Sequence, residues 1–123
     1  IVYSIERGLN VLIERINILQ EANIISEEVG NYVIKVIDFF DEYKFDESKM
    51  EMFTTHLAMA TQRTVDQNEE FEFDETIWTQ IELDPKFEKA SSLYTLISNH
   101  SPVSYMESER TFLIMHLCNL CQD

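Results

Sequence analysis

Only two glycines and two prolines punctuate this chain of 123 residues. Sandwiches and barrels need turn residues every ten positions or so, whereas helices need far fewer. The chain is therefore expected to be all-α. An apolar fraction of 45% supplies a core and excludes a disordered chain, despite the heavy charge. The length fits one domain, residues 1–123, and is too short for two.

Apolar spacing places the helices. Leu9, Leu12, Ile13, Ile16 and Leu19 form one stripe at steps of three and four, predicting a helix from about Val2 to Gln20. Ser26 is the expected cap of a second, with Glu27 and Glu28 suiting its positive end. Val29, Val33, Val36, Ile37 and Phe40 are its inward positions. Asp46 is the expected cap of a third helix, Glu47 to Val65, and Asp66 to Glu75 reads as an exposed acidic loop. After a short turn near Ile77 to Ile81, Asp84-Pro85 reads as N-cap plus first helical residue of a fourth, carrying Phe87, Ala90, Tyr94 and Ile97. Ser104-Tyr105-Met106-Glu107 has capping-box spacing and opens a last helix toward Leu120. The short connections predict a compact antiparallel bundle of about five helices.

The net charge is -14, from 23 acids and 9 bases. Nucleic-acid affinity comes largely from Lys and Arg displacing counterions, so direct binding to DNA, RNA or an anionic membrane is disfavoured. A basic protein partner suits this field better, although such charge also simply keeps a small domain soluble. No apolar run approaches the ~18 residues of a membrane span, and no signal peptide is visible. The expected location is the cytoplasm. Ile1 is not a native initiator, so the chain is expected to be processed, trimmed or cut from something longer.

Two helix-borne histidines stand out. Met59, Ala60 and Arg63 share the stripe of His56, three, four and seven residues beyond it. Glu109, Phe112 and Leu113 share that of His116, seven, four and three residues before it. The spacings are mirror images. If the two helices pack antiparallel with the histidines level, Arg63 faces Glu109 about two turns (~10 Å) away, and a salt bridge there locks the register. Each imidazole is either a satisfied core histidine or a titrating, nucleophilic group held by packing.

Other candidates carry less. Cys118-x-x-Cys121 lies at a helix C-terminus, where the dipole disfavours a thiolate, and a second such pair for zinc is missing. Buried reduced thiols are expected. His100, in the turn before the last helix beside Pro102, is expected to be solvated. Gly8 and Gly30 stand alone, so there is no phosphate-binding loop. Glu69 to Glu75 lacks the spacing and glycine of a calcium loop, and reads as a solvated segment anchored by Phe71 and Phe73. No metal and no cofactor is expected.

The run His56-Leu57 to Arg63, and the run Glu109, Phe112, Leu113, His116 and Leu117, resemble the two histidine motifs of the PTS regulation domain. That family is named for the bacterial phosphotransferase system for sugars. Pro85, Phe87 and Ala90 resemble a segment that family members commonly carry between the two, with Asp84 where an aromatic is usual. Thr55 stands where an acidic residue often precedes the first histidine. The resemblance covers about residues 9 to 120.

The resemblance implies a five-helix bundle that often forms a homodimer. It also implies that His56 and His116 are phosphoacceptors, supported by Arg63 and Glu109. The donors in such a family are the phosphohistidine carrier protein and sugar permease components. Arg63 is the motif's obvious receiver for the added dianion, which requires it to leave Glu109. Family regulators usually join two such domains to an RNA- or DNA-binding domain. This chain has one and no nucleic-acid-binding segment, as a stand-alone or excised unit acting through protein contacts in transcriptional control of carbohydrate utilisation. Two other readings are a homodimerisation module with idle histidines and a small metal-dependent enzyme.

Overall fold

The computed structural model describes the backbone of residues 2–68 and 75–122, and the side chains of residues 11–68 and 75–122. Six helices occur among the described residues, with no strand: α1 (Val2–Glu21), α2 (Glu27–Phe40), α3 (Glu47–Val65), α4 (Glu75–Glu82), α5 (Phe87–Ser98) and α6 (Glu107–Leu120). One 3-10 turn, Asp41–Tyr43, extends α2. The fold is all-α, as expected, with α3 and α6 at its centre. α3 packs on α1, α2 and α6, and α6 also receives α4 and α5.

Helix starts follow the side chains. Ser26 Oγ accepts from the Val29 amide at 3.2 Å, and Asp46 Oδ2 accepts from the Lys49 amide at 3.1 Å, each satisfying one orphan donor. The Ser26 amide also donates to Gln62 Oε1 at 2.8 Å, which ties the start of α2 to α3.

Helix ends show how a glycine-poor chain stops. Asn23 (φ 61°) and Gln67 (φ 56°) take the left-handed conformation usually left to glycine. After α1, the Asn23 and Ile24 amides donate to the Gln20 and Leu19 carbonyls; after α3, those of Gln67 and Asn68 donate to Thr64 and Arg63. Both ends are Schellman motifs.

The apolar stripes turn inward. Val29, Val33, Val36, Ile37 and Phe40 are buried, as are Leu12 and Ile16 of α1 and Ala90 and Ile97 of α5. Ile13, Leu19, Phe87 and Tyr94 are half-buried against them, while the side chain of Leu9 lies outside the described residues. Tyr32 Oη donates to the Ile97 carbonyl at 2.9 Å and accepts from Tyr105 Oη at 3.2 Å. Tyr105 Oη in turn sits 2.7 Å from Thr61 Oγ1. This hydroxyl chain fastens α2, α3, α5 and the segment before α6.

Three local expectations need correction. The turn near Ile77 to Ile81 is a full helix, α4, held by Trp78 edge-on to Phe87 and under the Arg110 guanidinium. Asp84-Pro85 does not begin α5. Asp84 Oδ1 accepts from the Lys86 amide at 2.8 Å in a separate turn, and the helix starts at Phe87. Ser104 does not cap α6 either, because Tyr105 is drawn inward by its hydroxyl contacts and the helix starts only after Met106. Asp66 to Asn68 are exposed, as the acidic loop requires, but Glu75 already belongs to α4. The anchoring expected of Phe71 and Phe73 lies outside the described residues.

Gly30 lies inside α2 without needing a glycine's freedom. A Cβ there closely meets only the carboxamide end of half-buried Gln20, which can swing aside, while Ile16 Cγ2 stays at 3.8 Å. Gly30→Ala is expected to raise stability by about 0.5–1 kcal/mol, the helical difference between the two residues. Urea denaturation checks this, and a lowered midpoint would show that Gln20 cannot move.

Candidate functional site

α3 and α6 run antiparallel, since Lys49, His56 and Arg63 meet Gln122, His116 and Glu109 in reverse order. Arg63 and Glu109 form the pair that the mirrored spacing requires. Arg63 Nε donates to Glu109 Oε2 and Nη2 to Oε1, both at 3.0 Å. The Glu109 side chain is 0% exposed and that of Arg63 26%, so a carboxylate with no access to water is held by a guanidinium that keeps some. The fork geometry supplies two charge-assisted bonds and fixes direction as well as distance.

With that register set, the imidazoles of His56 and His116 stack, centroids 4.0 Å apart and planes 19° from parallel. Phe112 stands edge-on to both, at 5.5 Å from His56 and 4.5 Å from His116. On its other side the Arg63 guanidinium lies 5.2 Å from the Phe112 centroid. One aromatic ring thus separates the ion pair from the histidine pair and touches both.

Both rings are half-buried, and among the described residues neither has a hydrogen-bond partner. Since no buried side-chain nitrogen or oxygen lacks a partner there, their free nitrogens must reach solvent. Burial holds His56 below its ordinary 6.5, with the Arg63 charge adding to it. Burial, and then the neighbouring His56, push His116 down to about 4. Each ring is neutral at pH 7, with a lone pair in its plane. Such a group can attack an electrophilic phosphorus.

His100 is not part of this arrangement. It is exposed after α5, with its ring 4.8 Å from that of Phe39. Cys118 and Cys121 are free and buried. Burial raises both thiols, Cys118 to about 11, so neither is a thiolate at neutral pH. No group of three His, Cys, Asp or Glu side chains fit to hold a metal occurs among the described residues, and no helix there is long and apolar enough to cross a membrane.

Three contributors were not singled out from sequence. Phe112 shares the stripe of His116, but its wedge position needs the packing. Arg15 on α1 donates from Nη2 to Thr55 Oγ1 at 3.2 Å, beside His56. Lys49 lies seven residues before His56 on the stripe that reaches Arg63 seven residues after, and it lines a groove with His116. The mirrored spacing, extended one step the other way, is the signal that finds it.

A helical bundle with a clamped histidine pair defines a class of regulatory domain. The chain matches the family model described as PRD domain over residues 31–120, and it belongs to that family, the PTS regulation domains. The match starts within α2 and so is shorter at its N-terminal end than the resemblance. No curated protein and no solved structure gives a significant match.

Two outcomes follow from this geometry. Arg63→Met leaves the Glu109 carboxylate buried and unpaired, at a cost of about 3–5 kcal/mol. Arg63→Met with Glu109→Leu restores most of that loss in chemical denaturation; additive losses would mean that the two side chains do not act as a pair. The second concerns pH. His116 takes up its proton at about 4 folded and near 6.5 unfolded, so the unfolded chain binds more protons between these values. Stability should fall as pH drops from 6.5 toward 4 and stay flat above 6.5. His116→Asn should flatten the change in urea midpoint between pH 7 and pH 5, and an unaltered slope would contradict this account.

Proposed function

We propose that His56 and His116 are phosphoacceptors for the sugar phosphotransferase system, and that their phosphorylation governs protein contacts in transcriptional control of carbohydrate utilisation. The observation that carries this reading is the stacked pair of neutral imidazoles, 4.0 Å apart with nitrogens open to solvent, in a chain of the PRD family. A neutral imidazole displaces the phosphoryl group from a phosphohistidine donor, and catalysis is then largely positioning. The donors are the phosphohistidine carrier protein or sugar permease components. The domain is not an enzyme in this reading, works in the cytoplasm, and at a net charge of -14 leaves nucleic acid to other parts of a regulator.

Arg63 and Glu109 support the pair by holding α3 and α6 in register. Transfer of Arg63 to a phosphoryl group would strand a fully buried carboxylate, so in this reading the clamp stays closed. The change is felt instead at the rings, whose stacking must open to admit a dianion. A second copy of the chain is the expected partner for the altered face. Ile18 (58% exposed) beside Thr55, and Met52 (56% exposed) one turn along α3, offer apolar surface there.

Incubation with phosphoenolpyruvate and the general phosphotransferase proteins tests the proposal. An acid-labile, alkali-stable phosphate should appear on the chain and vanish in His56→Asn/His116→Asn. A folded wild-type chain that takes no label, or a double variant that keeps it, would sink the reading.

A further inference from the structure

We propose that Lys49 is the cation that binds the phosphoryl group on His116, an assignment that rests on the phosphoacceptor reading above. The groove beside His116, about 240 Å³, is lined by Lys49, Met52, Phe53, Asn119, Leu120 and Gln122. Lys49 is the one cation among these, and the wall holds no carboxylate to oppose an incoming dianion. Its backbone is fixed at the start of α3 by the Asp46 cap. Its ammonium donates to the Gln122 carbonyl at 2.6 Å, a neutral acceptor just past the end of α6. Leaving that carbonyl for a phosphoryl oxygen exchanges a neutral acceptor for a charged one, and charge-assisted bonds are roughly twice as strong.

The neighbouring cations are placed less well. Arg63 is committed to a carboxylate that cannot be left unpaired. Arg15 lines a separate groove with Ile18, Leu19 and Thr55, which neither histidine enters. Lys44 and Lys89, by contrast, line a hollow that shares Lys49, Leu120 and Gln122 with the His116 groove. Three of the chain's nine cations therefore stand at this end of the α3–α6 pair, in a protein of net charge -14. The field there favours an anion although the molecule as a whole repels one.

Phosphoramidate, a small chemical phosphoryl donor, tests the assignment on the full chain without a protein partner. The unprotonated nitrogen of His116 forms the new N–P bond as the donor's P–N bond breaks. Ammonia leaves with that electron pair, and the proton on the other ring nitrogen passes to solvent. Exposed His100 takes label independently of Lys49 and serves as the internal reference. In Lys49→Gln, with folding checked by circular dichroism, label at His116 should fall about tenfold relative to His100, the scale of one charge-assisted bond. Its phosphohistidine lifetime at pH 7 should shorten as well. Lys49→Arg should restore most of both, and His56 label in a His116→Asn background should not change with Lys49→Gln. Wild-type label and lifetime at His116 in Lys49→Gln would overturn the role of Lys49 and leave the phosphoacceptor reading standing. If wild-type His116 takes no label while His100 does, both fall together.

Discussion

Glu109 is a carboxylate with no exposed surface, and the bundle is arranged around its need for a counter-charge. A buried charge without a partner costs several kcal/mol, a large share of the stability of a domain this size. Arg63 meets it through two bonds at 3.0 Å, and a guanidinium fork accepts only a narrow range of approach. If α6 slipped by one turn along α3, the fork would miss the carboxylate by about 5 Å, the pitch of the helix. The same slip would unstack His56 from His116. One ion pair two turns away therefore makes the meeting of the imidazoles obligatory, and Phe112 transmits the constraint by touching the guanidinium and both rings.

Charge acts on two scales here. The molecule carries an excess of fourteen negative charges, which keeps polyanions away. Close to the histidines the balance reverses: Arg15 lies beside Thr55, Arg63 lowers His56, and Lys49 shares the groove of His116. A donor with a basic surface is drawn by the whole, and its phosphoryl group is received by the part.

The sequence analysis reached the central geometry because that geometry is periodic. Seven residues forward from His56 and seven back from His116 fall on one level only in an antiparallel pair, which is what Arg63 and Glu109 adopt. The caps at Ser26 and Asp46 were legible for a local reason, since a short polar side chain three residues before a free amide suffices. What was missed depends on tertiary packing. α4 buries only Ile81 among its eight residues, and Trp78 gains its partners from α5 and α6. The start of α6 was misplaced because the Tyr105 hydroxyl is pulled toward Thr61 and Tyr32, two residues far away in sequence. Thr55 read as a departure from the family's acidic residue, and only the packing of α1 shows that it accepts a bond from Arg15.

Burial of the histidines raises a question of purpose that magnitudes can answer. An ordinary imidazole with a pKa of 6.5 is already about three-quarters neutral at pH 7, so driving it fully neutral gains about a third in nucleophile concentration. That is worth roughly 0.2 kcal/mol in rate, far too little to justify desolvating two rings. Burial matters more for the other side of the reaction. A dianion added to an exposed histidine would be hydrated at once and felt by nothing nearby. Added to a ring stacked on a second ring and wedged by Phe112, it cannot be accommodated without moving its neighbours. Half-burial thus leaves the nitrogens within reach of a donor and ties the arrival of charge to the packing of α3 on α6. A signalling domain needs that coupling more than it needs speed.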